Sequence, residues 1–439
     1  MLLFANTITP RLQYAVDFFN KELFEAPIHI TADRSVFEQA VGPRINYSAE
    51  VFTETVFNIR PVDLLFEKGI TPQPIHCFVS NGRPAFFPCP GSFPFDVFAA
   101  TFYLLSRYEE YLPHEKDEYG RYAHTNSLAF REGFLDQPLV NYWLQHFKQV
   151  LAQHFPDLLF RKHNFKCILS YDIDIAWSYL HKGFVRTAGG FARSILKGQW
   201  VDVKERWDVL RGARKDPYDC FEWLDALHLY CRLRPYYFFL VARKQAGVDK
   251  NTPTEVKPFR DLIEYYANTY KTGIHPSWQS GDDTDLLLEE KEWLEVVTDV
   301  EITRSRQHYI RFELPDTFRH LIKAGIEKEF SMGYGSINGF RASVCSSFAW
   351  YDLLHEQSTP LMLYPFCFMD ANSFYEQKDT PQQAYAELIL YHEQVRKLNG
   401  MMISIWHNSI LGTDKKFAGW REMFELFMKE TVYWDAYSD

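Results

Sequence analysis

The sequence has no run of the roughly 18 consecutive apolar residues that a membrane-spanning helix needs. Its opening residues, MLLFANTITPRLQYAVDFF, carry no basic n-region and meet Thr7, Thr9, Pro10 and Arg11 before a signal-like apolar core can form, so a cytoplasmic location is expected. No CxxC pair occurs among the seven cysteines, and their odd number and irregular spacing argue against a cysteine-held zinc and for reduced thiols. Positive charge is in deficit: 47 Lys and Arg against 57 Asp and Glu leave a net charge of −10, which speaks against nucleic acid as a partner. No low-complexity tract and no period of 20 to 50 residues recurs, which sets aside solenoids and propellers. A phosphate-cradling glycine fingerprint is missing as well. The closest approach, GYGSINGF (Gly333 to Phe340), lacks the strand-to-helix context such a loop requires.

What remains is a chain of ordinary soluble composition. Its 439 residues exceed the roughly 100 to 200 of a typical domain, so two or three domains are expected. Apolar residues at 46% and charged ones at 24% suit a packed globular protein rather than a disordered one. Aromatics are abundant, with 38 Phe, 26 Tyr and 11 Trp, which is material for a core and for flat apolar platforms.

The pattern changes near residue 160. Before it, PAFFPCPGSFPFD leads into a helix in which Val97, Thr101, Leu104, Leu105 and Tyr108 recur at helical spacing behind Asp96 as N-cap. A second helix runs from Pro138 to Leu151. Residues 1–160 therefore read as a small α/β or α+β domain without an evident catalytic constellation. Residues 161–439 alternate short apolar runs with longer helical ones, the signature of parallel strands joined by crossover helices. The strand candidates are Lys166 to Tyr171, Tyr236 to Val241, Thr272 to His275, Val300 to Thr303, Gly325 to Phe330, Leu361 to Phe366 and Met401 to Trp406. Helices are expected around Cys220 to Cys231, Pro258 to Asn268, Leu286 to Val297, Asp316 to Ala324 and Pro381 to Lys397. Seven strands in this length are enough for a (β/α) barrel.

Such a fold gathers its active site at the carboxyl ends of the strands. Polar residues stand there in turn: Asp172 and Asp174 in SYDIDIAW, His275 in GIHPSWQS, Arg306, His308 and Tyr309 in SRQHYIRF, Arg341 in GFRA, Asp370, and His407 in SIWHNS. Singly, each has an ordinary explanation, as a loop cap, a satisfied structural histidine or a surface ion pair. Together, at successive strand ends, they point to one site.

At these residues the chain resembles the polysaccharide deacetylases of carbohydrate esterase family four, over roughly residues 160 to 430. The resemblance implies a distorted seven- or eight-stranded (β/α) barrel. SYDID matches the family's Asp pair, with Asp172 implied as general base and Asp174 as metal ligand. GIHPSWQS matches its H-x-x-x-H motif through His275, but Gln279 stands where the second histidine belongs. SRQHY matches R-x-P-Y with His308 in place of proline, so Arg306 is implied to hold the base and Tyr309 to face the oxyanion through its amide. His407 takes the place of the general acid. The metal set expected here is Asp174, His275 and His308, around a divalent ion, with Zn2+ expected first. The region FAATFYLLSRYEEYLPHEKDEYGRY also resembles a domain found ahead of this barrel in some bacterial deacetylase-like proteins, which implies no role for it.

The implied reaction is hydrolysis of an N-acetyl (acyl) group on a sugar or surface-polysaccharide precursor. A bound ion acidifies water, Asp172 takes its proton with Arg306 or Arg341 keeping the carboxylate ionised, and His407, supported by Asp370, protonates the leaving amine. Trp177, Trp278 and Trp406 lie within a few positions of these residues and suit the apolar face of a pyranose or, equally, the packing of a barrel rim. Three other readings stay open: a degenerate barrel that binds carbohydrate without hydrolysis, a glycosyltransferase using D-x-D, and an amidohydrolase acting on a small non-sugar amide.

Overall fold

The structure, a computed structural model, describes residues 1–243, 245 and 247–435. Near the N-terminus, β1 (Leu2–Phe4), β2 (His29–Thr31), β3 (Arg44–Asn46) and β4 (Phe57–Asn58) form an all-parallel sheet in the order β2-β1-β3-β4. The hairpin β5 (Phe78–Ser80) and β6 (Arg83–Ala85) follows. Helices α1 (Pro10–Leu23), α2 (Arg34–Gln39), α3 (Val97–Leu105), α4 (Leu128–Arg131) and α5 (Leu139–His154) complete this part. Asp96 caps α3 as expected, accepting from the Ala99 amide, a contact worth about 1 kcal/mol. The helix stops at Leu105 instead of running to Tyr108, because Arg107 adopts left-handed backbone (φ 54°) and the chain tightens into a 3₁₀ turn. Every residue of α3 is buried, so it is a central helix rather than an amphipathic surface one.

From Lys166 onward the chain builds a second sheet. Its strands are β7 (Lys166–Ile173), β8 (Tyr236–Leu240), β9 (Lys271–His275), β10 (Arg304–Ser305), β11 (Lys328–Glu329), β12 (Phe348–Asp352), β13 (Gln357–Leu363), β14 (Phe368–Met369) and β15 (Met401–His407). The order across the sheet is β12-β13-β11-β10-β9-β8-β7-β15-β14, parallel throughout except for the β12–β13 pair. The intervening helices are α6 (Gly183–Leu196), α7 (Trp200–Leu210), α8 (Phe221–Tyr230), α9 (Lys257–Thr269), α10 (Thr284–Thr298), α11 (Asp316–Lys323), α12 (Pro381–Lys397) and α13 (Trp420–Phe427). β8 reads YYFFL and is buried at every position, as befits a strand covered on both faces.

The expected closed barrel does not form: the hydrogen-bonded ladder stays open. β13 leaves its neighbour after the Tyr364 amide donates to Glu329 O (2.8 Å), and three residues later the Cys367 amide donates to Ile403 O (3.1 Å) beside β15. A single pass of chain thus crosses from β13 to the β15 side of the sheet. Pro365 stands in that pass and has no N–H to offer a ladder. Two expected strands also shift, from 300–303 to Arg304–Ser305 and from 361–366 to Gln357–Leu363, because apolar runs this short set no register of their own. β12, α6 and α7 were not anticipated.

The two sheets share one buried core that runs from Leu3 to Val432. Polar contacts also tie them together: the Arg11 guanidinium donates to Glu356, Tyr14 Oη to Ala349 O (2.7 Å) and Ser346 Oγ to Glu22 (2.7 Å).

Candidate active site

Register puts the polar strand ends side by side. Asp172 pairs with His407 across β7 and β15, Leu240 with His275 across β8 and β9, and Ile274 with Ser305 across β9 and β10. The chain proceeds from β7 through β8 to β9 on one side, while β15 returns on the other. β7 is therefore where the strand order reverses, and ligands of open α/β sheets bind outside the carboxyl ends at such a point.

Asp174 sits at the centre. Its Oδ1 is 3.3 Å from His275 Nε2, and its Oδ2 is 3.9 Å from both His308 Nε2 and His407 Nε2. One ligand atom from each of Asp174, His275 and His308 lies within 4.8 Å of the other two. The remaining ring nitrogens are already committed. His275 Nδ1 meets the Arg306 carbonyl, His308 Nδ1 meets Asp249 Oδ1 (2.8 Å) and His407 Nδ1 meets Asp370 Oδ1 (2.6 Å). A carbonyl or carboxylate only accepts, so each Nδ1 carries the proton. In a neutral ring the Nε2 lone pair then faces inward. At His275 that lone pair meets a buried carboxylate oxygen, Asp174 Oδ1, that has no hydrogen-bond donor. Two lone pairs at 3.3 Å call for positive charge between them, a proton or a metal ion, so the donor set fits a metal site.

The electrostatics agree. Burial works to raise Asp174, but His275, His308 and His407 outweigh it and hold the carboxyl well below the usual range. Burial works to lower His275, yet Asp172 and Asp174 raise it overall. The same spot that draws a proton onto His275 is the spot that attracts a metal ion. His407 is pushed up to about 10: burial opposes, and Asp370, with Asp174 and Asp172, prevails.

Asp172 is buried, and Arg306 Nη1 donates to its Oδ1 at 2.8 Å. Arg306 is itself fully buried, with Nε donating to Phe330 O (3.1 Å) and its guanidinium 4.4 Å from the Phe238 ring centre. Gly273 of β9 leaves room for that ring, since a Cβ there would stand 2.6 Å from Phe238 Cε1. Tyr309 follows His308 in a left-handed turn, φ 60°, continued by Ile310 at 54°.

Other expected residues fall elsewhere. Arg341 does not hold Asp172: its guanidinium grips Glu110 through Nε (2.8 Å) and Nη2 (2.6 Å) and gives Nη1 to Gly333 O (3.0 Å). Trp406 precedes His407 in β15 and so points to the opposite face. Its ring is fully buried against Phe368 and Phe424, and Nε1 donates to Ser404 Oγ. Trp177 is buried against His181 and Phe221. Trp278 alone is half-exposed, and Arg311 covers one face of its ring at 4.2 Å. The Gly333–Phe340 segment opens no helix.

Sequence reasoning missed Asp249, which is fully buried in the loop after β8. Besides His308, its carboxylate accepts from the Trp278 amide (2.8 Å) and from Gln279 Nε2 (3.2 Å). Gln279, which stands where the resemblance places a second histidine, thus buttresses the carboxylate that orients His308. Arg121 was missed as well. It comes from the N-terminal part and donates Nη1 to Tyr309 O (2.8 Å), while the Tyr119 ring packs 5.0 Å from that of Tyr309.

Residues 1–156 match a family of unknown function, DUF7033. No curated protein matches the chain. Among solved structures, it is similar to one titled as a polysaccharide deacetylase candidate from Mycobacterium smegmatis, at 12% identity and TM-score 0.39 over 62% of this chain and 85% of that one. It is also similar to the polysaccharide deacetylase Bc1974 from Bacillus cereus, at 10% identity and TM-score 0.30 over 61% and 88%.

Proposed function

We propose that this chain is a metal-dependent hydrolase that removes an acyl group, acetyl first among them, from an N-acylated sugar. The observation that carries the reading is the convergence of Asp174, His275 and His308 with their unshared electron pairs inward, beside an Arg-held carboxylate and an Asp-held imidazole. The sugar class comes from the motif resemblance.

Asp174, His275 and His308 would hold the ion, with zinc favoured by the mixed nitrogen and oxygen donors. Once bound, it supplies a water acidified to near neutrality and a Lewis acid for the acyl oxygen. Asp172 takes a proton through Oδ2, since Arg306 occupies Oδ1. The Tyr309 amide stabilises the oxyanion from its left-handed turn, which Arg121 fixes at the carbonyl side. His407 gives a proton from Nε2 to the departing amine while Asp370 holds Nδ1. Of the three tryptophans, Trp278 is the candidate for a sugar ring, since Trp177 and Trp406 are buried.

The test is acetate release from N-acetylated sugars by the metal-loaded protein. His407→Ala is expected to lower kcat about 10²- to 10⁴-fold with KM little changed. An unchanged kcat removes His407 from the reaction.

A further inference from the structure

The hairpin of α6 and α7 is built inside out. An amphipathic helix of a globular protein turns its apolar stripe to the core. In α6 the apolar positions Phe184, Val185, Ile195 and Leu196 face solvent, with Phe184 and Leu196 each 87% exposed, and Ser194 is the one buried residue. The opposite face carries Lys182, Arg186, Arg193 and Lys197, which line a cavity of about 600 Å³. α7 also exposes apolar side chains: Trp200 and Trp207, two turns apart, are 66% and 59% exposed, with Lys204 and the Asp208-paired Arg211 on the same face.

We infer that this hairpin docks the protein on an anionic lipid bilayer, and that the basic cavity behind it receives lipid phosphate. Charge selects the occupant. Residues 175–215 carry nine Lys and Arg against three Asp and Glu, in a chain whose net charge is −10. Two copies meeting symmetrically through this face would bring like charge together. A bilayer with anionic headgroups accepts both features at once: Phe, Leu and Trp in the interfacial layer, and Lys and Arg at the phosphates. Arg206 of α7 and Lys250 join the cavity wall, and among the described residues no carboxylate lines it. Burial, with Arg206 and Arg186 adding to it against Asp216, brings Lys182 down to about 8. The Asp216 carboxylate is already taken by the amides of Ser178, Tyr179, Leu180 and Tyr218.

The cavity also adjoins the candidate active site. Ile175 in its wall follows Asp174, and Lys250 and Asn251 follow Asp249. This inference does not depend on hydrolysis at that site.

Co-sedimentation of the whole protein with vesicles tests it. Binding is expected to vesicles of equal parts phosphatidylglycerol and phosphatidylcholine, to be absent with phosphatidylcholine alone, and to weaken as salt rises. Phe184→Ser with Leu196→Ser, and separately Trp200→Ser with Trp207→Ser, should each weaken it about tenfold or more. Arg186→Glu with Arg193→Glu should do the same while leaving the apolar face intact. All six side chains are exposed, so an unchanged thermal midpoint and metal content are expected. Failure of the wild type to bind phosphatidylglycerol vesicles overturns the inference. So does binding of inorganic phosphate without vesicle association, or a homodimer dispersed by the Phe184 and Leu196 changes.

Discussion

Two clusters of buried charge differ in one respect that separates scaffold from site. In the first, Arg107 and Arg341 face Glu109 and Glu110. Arg107 donates to both carboxylates (2.8 and 3.0 Å), Arg341 clamps Glu110, and the free oxygen of Glu109 accepts from the Leu128 amide (2.8 Å). Two positive and two negative groups cancel, and the carboxylate oxygens have donors. In the second, Asp172, Asp174, Asp249 and Asp370 face one guanidinium and, with His407 protonated, one imidazolium. The carboxylates outnumber the one guanidinium, and the inner atoms point at one another. A cluster that closes on itself is a structural joint, here between the N-terminal part and the second sheet. A cluster satisfied only on its outer side is one that a divalent ion would complete.

The largest effect that would sharpen this contrast is expected from Asp174→Ala. It should abolish metal binding and cut acyl hydrolysis by about 10³-fold or more, while the metal-free protein keeps or gains stability in thermal unfolding under chelator. Next comes Glu110→Ala, which strands the buried Arg341 guanidinium, leaves Arg107 with Glu109 alone and should cost about 3 to 5 kcal/mol in urea unfolding, with metal stoichiometry of the folded fraction unchanged. Its pH dependence has a definite sign. Burial alone would raise Glu110, but Arg341 and Arg107 bring it to about 2, below its unfolded value of roughly 4.3. The stabilisation is therefore full above the unfolded value and is lost as pH falls from there to about 2, so the gap between wild type and Glu110→Gln should narrow over that interval. The smallest change is expected from Asp249→Asn, a 10- to 100-fold loss of metal affinity with little effect on unfolding. If Asp249→Asn unfolds the protein as Glu110→Ala does, the two clusters are alike and the contrast fails.

Much of this was legible in the sequence where the signal is local. α12 lies at Pro381–Lys397 as read, because Thr380 and Gln383 form a capping box and Pro381 opens the helix. The residues at the carboxyl ends of β7, β9 and β15 sit where the apolar runs placed them. Long-range pairing left no such trace. Arg341 looks like any strand-end arginine, and its partner Glu110 lies 231 residues away. Asp249 stands well past the end of β8 in an irregular loop, and only its contact with His308 distinguishes it. Two signals were present and passed over: strand alternation, which sends Trp406 away from His407, and Pro365, which breaks the ladder a closed barrel needs. The α6–α7 hairpin was unread because its apolar face has no core to meet.

The most direct measurement is titration of chelator-treated protein with Zn2+ by calorimetry, on the wild type and on Asp174→Ala and His308→Ala. One ion bound per chain, with binding lost in both variants, is the predicted result. No binding by the wild type, or equal binding by Asp174→Ala, would contradict the account.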